Sequence, residues 1–172
     1  MVGIPNHGTL RIGDTLSESE DLNFVGVPYF APEILRRVRL DDAMKAKKLR
    51  QALQELAEEG VVQLFRPQDG SPPMVGVVGT LQLDVLQARL AAEYGVKIGF
   101  ETPPFQLARW LSGERTLVER FAADQRSGMA DDVDGDPVFL ASSAFMLRRT
   151  AELNPGLTFR DIKDHRPEKT AA

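Results

Sequence analysis

The chain has 172 residues, of which 42% are hydrophobic and 27% charged, with a net charge of −4 and no cysteine. This composition is typical of one soluble globular domain, or of one domain with a fragment of another, and it argues against a disordered chain. No apolar run approaches the roughly 20 residues of a membrane-spanning helix, and the first ten residues do not resemble a signal peptide. The lack of cysteine excludes disulfides and thiolate metal sites and indicates a cytoplasmic protein.

Residues 2–23 differ in pattern from the rest of the chain. Glycine and proline divide them into short stretches, and only Leu10 and Ile12 alternate with polar residues as in a strand. Nothing here is large enough to bury a core alone. We therefore expect residues 1–23 to be the remnant of a β-structure whose other strands are absent from the sequence.

A regular pattern begins near residue 24 and gives the order β-α-β-β-α-β. Apolar residues recur with period 2 in the predicted strands and at helical spacing in the predicted helices, which begin at the Asp41–Asp42 pair and at Thr80. The predicted strands cover 34–40, 61–65, 74–78 and 96–100, and the predicted helices cover 42–59 and 80–94. This order is that of the ferredoxin-like fold, in which two helices pack on one face of an antiparallel sheet.

A second, looser round follows and completes a two-layer α+β domain over residues 24–165. It contains predicted strands over 107–111, 137–141 and 157–162 and predicted helices over 117–122 and 144–153. This gives further elements in the order β-α-β-α-β. The two rounds are expected to resemble each other in shape, and residues 166–172 form a polar tail.

Patterns for nucleotide hydrolysis, metal binding and acid–base catalysis are missing or incomplete. No Gly-x-x-x-x-Gly-Lys-[Ser/Thr] loop is present, and the single Asp-x-x-Gly, Asp132 to Gly135, lies in an acidic loop without a preceding predicted strand. The two histidines, His7 and His165, are expected in a turn and in the tail rather than in a catalytic triad or metal site. We predict that this chain alone is not an enzyme.

Two smaller patterns favour structural roles. Asp132, Asp134 and Asp136 imitate the start of a calcium-binding loop, but the required glycine and glutamate do not follow, which favours a solvated acidic loop. Trp110 follows Arg109 on a predicted strand and is expected to be buried at a sheet–helix interface rather than stacked on a nucleic-acid base.

One cluster of charge stands out in this acidic chain. Its lysines lie in the first half of a predicted helix, near the positive end of the helix dipole, where each exposed cation costs about 0.3–1 kcal/mol. Such an unfavourable arrangement is typical of a binding surface, and its alternative is a solvated helix face. The candidate phosphate-contacting residues are Arg36, Arg37, Arg39, Lys45, Lys47, Lys48 and Arg50.

A series of short motifs runs along the chain. Val2-Gly-Ile-Pro-Asn-His-Gly8 and Ile12-Gly-Asp-Thr15 come first, and they resemble the closing strands of the β-barrel domain of the bacterial peptide chain release factor 3 family, a family of translational GTPases. The following segments are similar, in the right order, to its C-terminal domain: Phe30-Ala-Pro-Glu33, Arg36-Arg-Val-Arg-Leu40, Glu58-Glu-Gly60, Phe65-Arg-Pro67, Val75-Gly-Val-Val-Gly79, Leu81-Gln-Leu-Asp84, Ala88-Arg-Leu90 and Ala108-Arg-Trp110.

The resemblance implies a domain of a translation termination factor that promotes release of class I release factors from the ribosome. It implies partners in the small ribosomal subunit and in the family's GTPase and β-barrel domains, with class I release factors as indirect partners and no membrane. GTP and magnesium belong to the GTPase domain, whose sequence is not in this chain, so no cofactor is expected here. We expect a fragment of the longer factor or a truncated reading frame.

Other functions stay open at the level of sequence. The residues also suit a stand-alone α+β module that binds a small ligand, or a structural module whose basic residues pack on another domain. A small enzyme that uses carboxylates would need two acids converging in a cleft. No spacing in the sequence indicates such a pair.

Overall fold

A computed structural model describes residues 16–18 and 28–163. The predicted β-barrel remnant (1–23, apart from residues 16–18), the predicted tail, His7 and His165 lie outside the described residues. The helices are α1 (Ala46–Glu58), α2 (Thr80–Tyr94), α3 (Arg115–Asp124) and α4 (Ala144–Leu153), with short 3-10 turns at Ala43–Lys45 and Arg126–Gly128. The strands are β1 (Tyr29–Phe30), β2 (Ile34–Leu40), β3 (Gln63–Pro67), β4 (Met74–Val77), β5 (Ile98–Glu101), β6 (Leu107–Gly113), β7 (Met129–Asp131), β8 (Pro137–Ala141), β9 (Leu157–Arg160) and β10 (Ile162–Lys163).

The first half of the described fold is a ferredoxin-like unit. Its elements follow the order β2-α1-β3-β4-α2-β5, and its strands lie side by side as β5-β2-β4-β3 with every neighbouring pair antiparallel. The first strand thus lies between the third and the fourth, as the split βαβ plan requires. The predicted α+β, ferredoxin-like start of the domain is confirmed.

The second half repeats this topology with one strand that the sequence did not predict. Its elements follow the order β6-α3-β7-β8-α4-β9, and its strands lie as β7-β8-β6-β9. The additional strand is β7, which pairs with β3 of the first unit through Arg66↔Asp131 and Pro67↔Ala130. Each unit contributes its second strand to this junction, and one eight-stranded sheet results.

Local sequence sets the ends of the helices. The Asp42 carboxylate accepts a hydrogen bond from Met44 N at 3.0 Å and caps the turn that leads into α1, as predicted for the Asp41–Asp42 pair. Gly60 and Gly95 follow α1 and α2 with φ of 75° and 61°. Glycine adopts this left-handed conformation at little cost, so both helices end there.

Two hydrophobic cores lie under the helices. The first joins α1 and α2 to β2–β5 and includes Leu53, Leu86 and Val75. The second joins α3 and α4 to β6–β9 around three mutually edge-on rings, Phe121, Phe139 and Phe159. Strand register and side-chain alternation place both cores on the same face of the eight-stranded sheet.

A third core lies on the opposite face of the sheet. It contains the side chains that alternate with those of the other two cores: Leu35, Phe65, Met74, Ala108, Trp110, Ala130, Val138 and Leu140. These residues come from six neighbouring strands and form one cluster. Each unit taken alone has the predicted two layers, and the third core adds apolar packing behind the sheet.

A two-stranded ribbon accompanies the sheet. The predicted strand 157–162 divides at Asp161 into β9 and β10, and β10 pairs with β1 through Tyr29↔Lys163 and Phe30↔Ile162. Ala31 N donates to Asp161 O at 2.7 Å, which fixes the break. In the described part of the chain, none of the helices has the length and hydropathy to cross a membrane.

Candidate functional site

The structure divides the seven basic candidate residues among three environments. Arg36 lies on the helix-bearing face of the sheet, whereas Arg37 and Arg39 alternate with it and lie on the opposite face. Lys45, Lys47, Lys48 and Arg50 lie at the start of α1 and in the turn before it. The sequence predicts one patch, but the fold does not bring all seven residues together.

The three arginines of β2 differ in exposure. Arg36 is half-buried and donates to the carbonyl of Leu35 at 2.8 Å. Arg37 is also half-buried, and its charge adds to the effect of the Ser71 hydrogen bond in lowering the pKa of Asp69. Arg39 is the exposed member of the three.

Arg39 lies along the edge of the sheet. Its guanidinium is 3.5 Å from the Asp41 carboxylate and crosses the backbone at Gly99, where an added Cβ would lie 2.9 Å from Arg39 Nη2. Arg39 is therefore available at the surface, with a carboxylate beside it.

Lys45 has a structural contact. Its Nζ donates to Gly95 O at 2.7 Å, directly after the last residue of α2. A cation at this end of a helix is favourable because the unsatisfied carbonyls there carry partial negative charge. Lys45 thus joins the start of α1 to the end of α2.

Lys47, Lys48 and Arg50 differ from the other four, and we call them the α1 cations. All three are exposed, and within the described residues none of them makes an ion pair. The first turn of α1 contains no acidic residue. This half of the helix thus carries uncompensated positive charge at its positive end.

The carboxylates of the second half of α1 are engaged. Glu55 accepts hydrogen bonds from Gln51 at 2.9 Å and from the Tyr94 hydroxyl at 2.7 Å. Glu58 accepts from Gln54 at 2.7 Å, and Glu59 pairs with Arg89 of α2 at 2.6 Å. These contacts hold the carboxylates of α1 within the domain. Glu58 and Glu59 have separate partners and do not form an acid–base pair.

A groove lies beside the α1 cations, and we call it the α1 groove. It has a volume of about 460 Å3 and runs between α1, β3 and the β3–β4 hairpin. Buried Leu53 and Leu64 line it together with Pro67 and Pro73 of the hairpin. The polar residues that line it are Arg50, Gln51, Gln54, Arg66 and Ser71.

A lysine ammonium lies among the carboxylates of the predicted acidic loop. The carboxylates of Asp132, Asp134 and Asp136 present oxygens within 4.8 Å of one another, as in a metal site. Lys163 places its ammonium 2.6, 2.7 and 2.8 Å from these three carboxylates, respectively. An ammonium group thus lies where three carboxylates converge, and the loop forms a salt-bridge cluster with Lys163.

Lys163 and Asp132 are the buried members of this cluster, with side chains 10% and 7% exposed. Burial acts to lower the pKa of Lys163, but hydrogen bonds to the three carboxylates outweigh it and raise that pKa well above its usual value. The Trp110 indole nitrogen donates to the Asp132 carboxylate at 2.9 Å. The prediction that Trp110 is buried is confirmed. Its predicted place at a sheet–helix interface is wrong, because its position on β6 directs it into the core opposite the helices.

The loop after β7 also holds residues of the first unit. Asp132 O accepts a hydrogen bond from Arg66 at 2.5 Å, and Val133 O accepts one from Gln54 at 3.4 Å. Sequence reasoning missed Arg66, Gln54 and Lys163. Their partners are 66, 79 and 31 residues away in the chain, and no local spacing reveals such contacts.

A family model for the class II release factor RF3, C-terminal domain, matches residues 24–151. The chain belongs to this family. Its match includes both ferredoxin-like units up to α4, and therefore also the α1 cations and the α1 groove. Release factor 3 is a translation termination protein of the GTPase class that works on the ribosome, and the family is its non-catalytic C-terminal domain.

Proposed function

We propose that this domain provides contacts with the small ribosomal subunit and with the GTPase and β-barrel domains of its own factor. In this proposal it supports the cytoplasmic release of class I release factors without catalysing a reaction. GTP and magnesium bind in the GTPase domain, and no residue of this chain takes part in their chemistry.

The observation that carries the proposal is the separation of charge along α1. The α1 cations are exposed and unpaired among the described residues, whereas Glu55, Glu58 and Glu59 are engaged by side chains of the domain. Ribosomal RNA presents a dense array of phosphates, and lysine and arginine neutralise them with release of counterions. A positive surface that folding leaves uncompensated is suited to such a partner.

The three arginines of β2 have a smaller place in this proposal. Arg39 is exposed and can add to a phosphate contact at the sheet edge, but Asp41 lies beside it. Arg36 and Arg37 are half-buried, and reversing their charge would disturb packing. Lys45 supports the end of α2. The test therefore concentrates on the α1 cations.

The experiment is cosedimentation with purified small ribosomal subunits at two salt concentrations. The test variant replaces each α1 cation with glutamate. The control variant makes the same change in net charge at exposed positions of α3 and α4, through Arg120→Glu, Arg148→Glu and Arg149→Glu. Both variants are first compared with the wild type by circular dichroism.

We expect salt-sensitive binding that the test variant loses and the control variant keeps. The slope of log affinity against log salt should become shallower by about 1 for each phosphate contact removed. Affinity should be modest, because the intact factor engages through several domains and gains from their linkage. Equal losses in the two variants, or no binding by the folded wild type at low salt, would remove the α1 cations as the contact.

A further inference from the structure

We propose that the α1 groove is a binding site for an unpaired RNA nucleotide, with the phosphate between Arg50 and Arg66 and the base on the apolar floor. This inference deepens the proposed function, because it assigns a specific ligand chemistry to one flank of the α1 surface. Its volume of about 460 Å3 lies within the roughly 300–1,000 Å3 of small-molecule pockets.

The floor and walls of the groove suit a flat apolar face. Leu53 and Leu64 of the first core lie beneath the groove and are 0% and 4% exposed, so the half-buried Pro67 and Pro73 provide most of its accessible apolar surface. Pro67 and Pro73 are rigid and have no side-chain polar group, so nothing polar from them is buried when a planar ring covers them. Single-stranded nucleic acid is bound by stacking of bases on aromatic rings or arginine planes beside a positive track, and in this groove the proline rings take the place of the aromatic ring.

The two arginines supply the charge. Arg66 is held in place because its guanidinium donates to Asp132 O at 2.5 Å and to Val133 O at 3.5 Å. These acceptors are neutral carbonyls, so the positive charge is not cancelled by them. Arg50 approaches from α1 and has no ion pair within the described residues. Guanidinium groups bind phosphate through paired hydrogen bonds, and fixing one in advance reduces the entropy lost on binding.

Neighbouring polar groups fit the same ligand. Gln51 and Gln54 also line the groove. Their amide nitrogens donate to Glu55 and Glu58, so their side-chain carbonyl oxygens are the groups that can accept a hydrogen bond from a base edge or a ribose. The nearest carboxylate on β7, Asp131, stands opposite Arg66 in the strand register but accepts a hydrogen bond from Gln68 at 2.8 Å. An acidic peptide would use the two arginines and leave the apolar floor uncovered, so RNA matches more of the groove.

The helix provides a matched control for charge. With 3.6 residues per turn, Lys48 projects about 160° around α1 from Arg50. Lys48 shares its flank with Glu55, which meets Tyr94 of α2, and Lys48 does not line the groove. Lys48→Glu and Arg50→Glu therefore change the net charge equally on the same helix, but only Arg50→Glu acts inside the groove.

The test measures binding of the full chain to a short fluorescent single-stranded RNA by anisotropy. Arg50→Glu should weaken binding about tenfold or more relative to Lys48→Glu, since the charged hydrogen bond from the guanidinium to the phosphate is lost. Arg50→Lys keeps the charge and removes the planar fork, and should lose several-fold. Photocrosslinking of 4-thiouridine RNA should label Arg50–Gln54 or the hairpin residues from Pro67 to Pro73.

The results that would overturn the nucleotide site differ from those that would overturn the proposed function. Equal effects of Arg50→Glu and Lys48→Glu, or crosslinks outside the groove, would overturn the nucleotide site even if the α1 cations are still required for binding to ribosomal subunits. Competition by a short acidic peptide at lower concentration than RNA would assign the groove to an acidic protein segment instead. If replacing the α1 cations with glutamate does not weaken binding to the small ribosomal subunit, the proposed function itself is overturned.

Discussion

Replacing Lys163 with methionine should destabilise the domain strongly at neutral pH. The substitution removes an ammonium that lies within 2.8 Å of three carboxylates and leaves their oxygens within 4.8 Å of one another. At that separation, a like-charge pair repels by about 3 kcal/mol with an effective dielectric constant near 20. Asp134 and Asp136 are partly exposed and can turn toward water, but Asp132 is buried.

The expected loss is therefore about 3–5 kcal/mol, the range observed when one partner of a buried ion pair is removed. For a domain of this size that corresponds to a fall in melting temperature on the order of 10 °C. The folded-state pKa of Lys163 is raised, so its contribution is fully present below the unfolded-state pKa of about 10.4 and is lost as pH rises through the folded pKa. At pH 7, the difference in the free energy of unfolding between wild type and variant therefore contains the full contribution of Lys163.

Urea unfolding gives the free energy, with Lys97→Met as a control that removes an exposed lysine. Calcium provides a second readout. Lys163→Met removes the Lys163 ammonium from the three carboxylates, and calcium favours such oxygen ligands. We expect calcium to restore about 2.7 kcal/mol at a hundredfold excess over its dissociation constant in this variant, with little effect on the wild type. A loss no larger than that of Lys97→Met would refute the assignment of Lys163 as the cation of the cluster.

Two further substitutions test the core and a surface hydrogen bond. Gly76→Ala should cost about 1–3 kcal/mol in urea unfolding, because the added Cβ would lie 2.6 Å from the Pro32 ring and 2.8 Å from Phe65; a stability equal to the wild type would contradict the close packing. The hydrogen bond to Glu55 raises the pKa of Tyr94 to about 12, so its stabilising effect is present below about pH 10 and fades as pH rises toward 12. Glu55→Gln should lower the Tyr94 midpoint in an ultraviolet absorbance titration, and an unchanged midpoint would exclude Glu55 as the cause.

Strong local patterns explain what the sequence predicted of the fold. The strand over Ile34–Leu40, the second helix between Thr80 and Gly95, and the strand over Pro137–Ala141 were predicted close to their observed bounds. Each has a clear apolar period and a marked end. The short β7 has neither: it contains three residues, and it is a strand because β3 and β8 pair with it on both sides. Its existence is a consequence of tertiary structure.

The candidate site was predicted in part, for a similar reason. The concentration of positive charge is visible in the sequence, but its division between two sheet faces and a helix depends on the fold. Three-dimensional contacts distinguish Lys45, which supports α2, from Lys47 and Lys48, which are free of ion pairs among the described residues. The role of Arg66 depends on a loop of the second unit, and no period in the sequence contains that information.

Asp132 connects the salt-bridge cluster to the α1 groove. Its carboxylate binds Lys163 and Trp110, and its backbone carbonyl accepts the hydrogen bond that holds Arg66. A displacement of Asp132 therefore also displaces Arg66 in the groove. Lys163→Met should weaken RNA binding in the groove even though Lys163 does not line it, and calcium should recover both stability and binding together. Recovery of stability without binding would separate the two sites and limit the cluster to a role in folding.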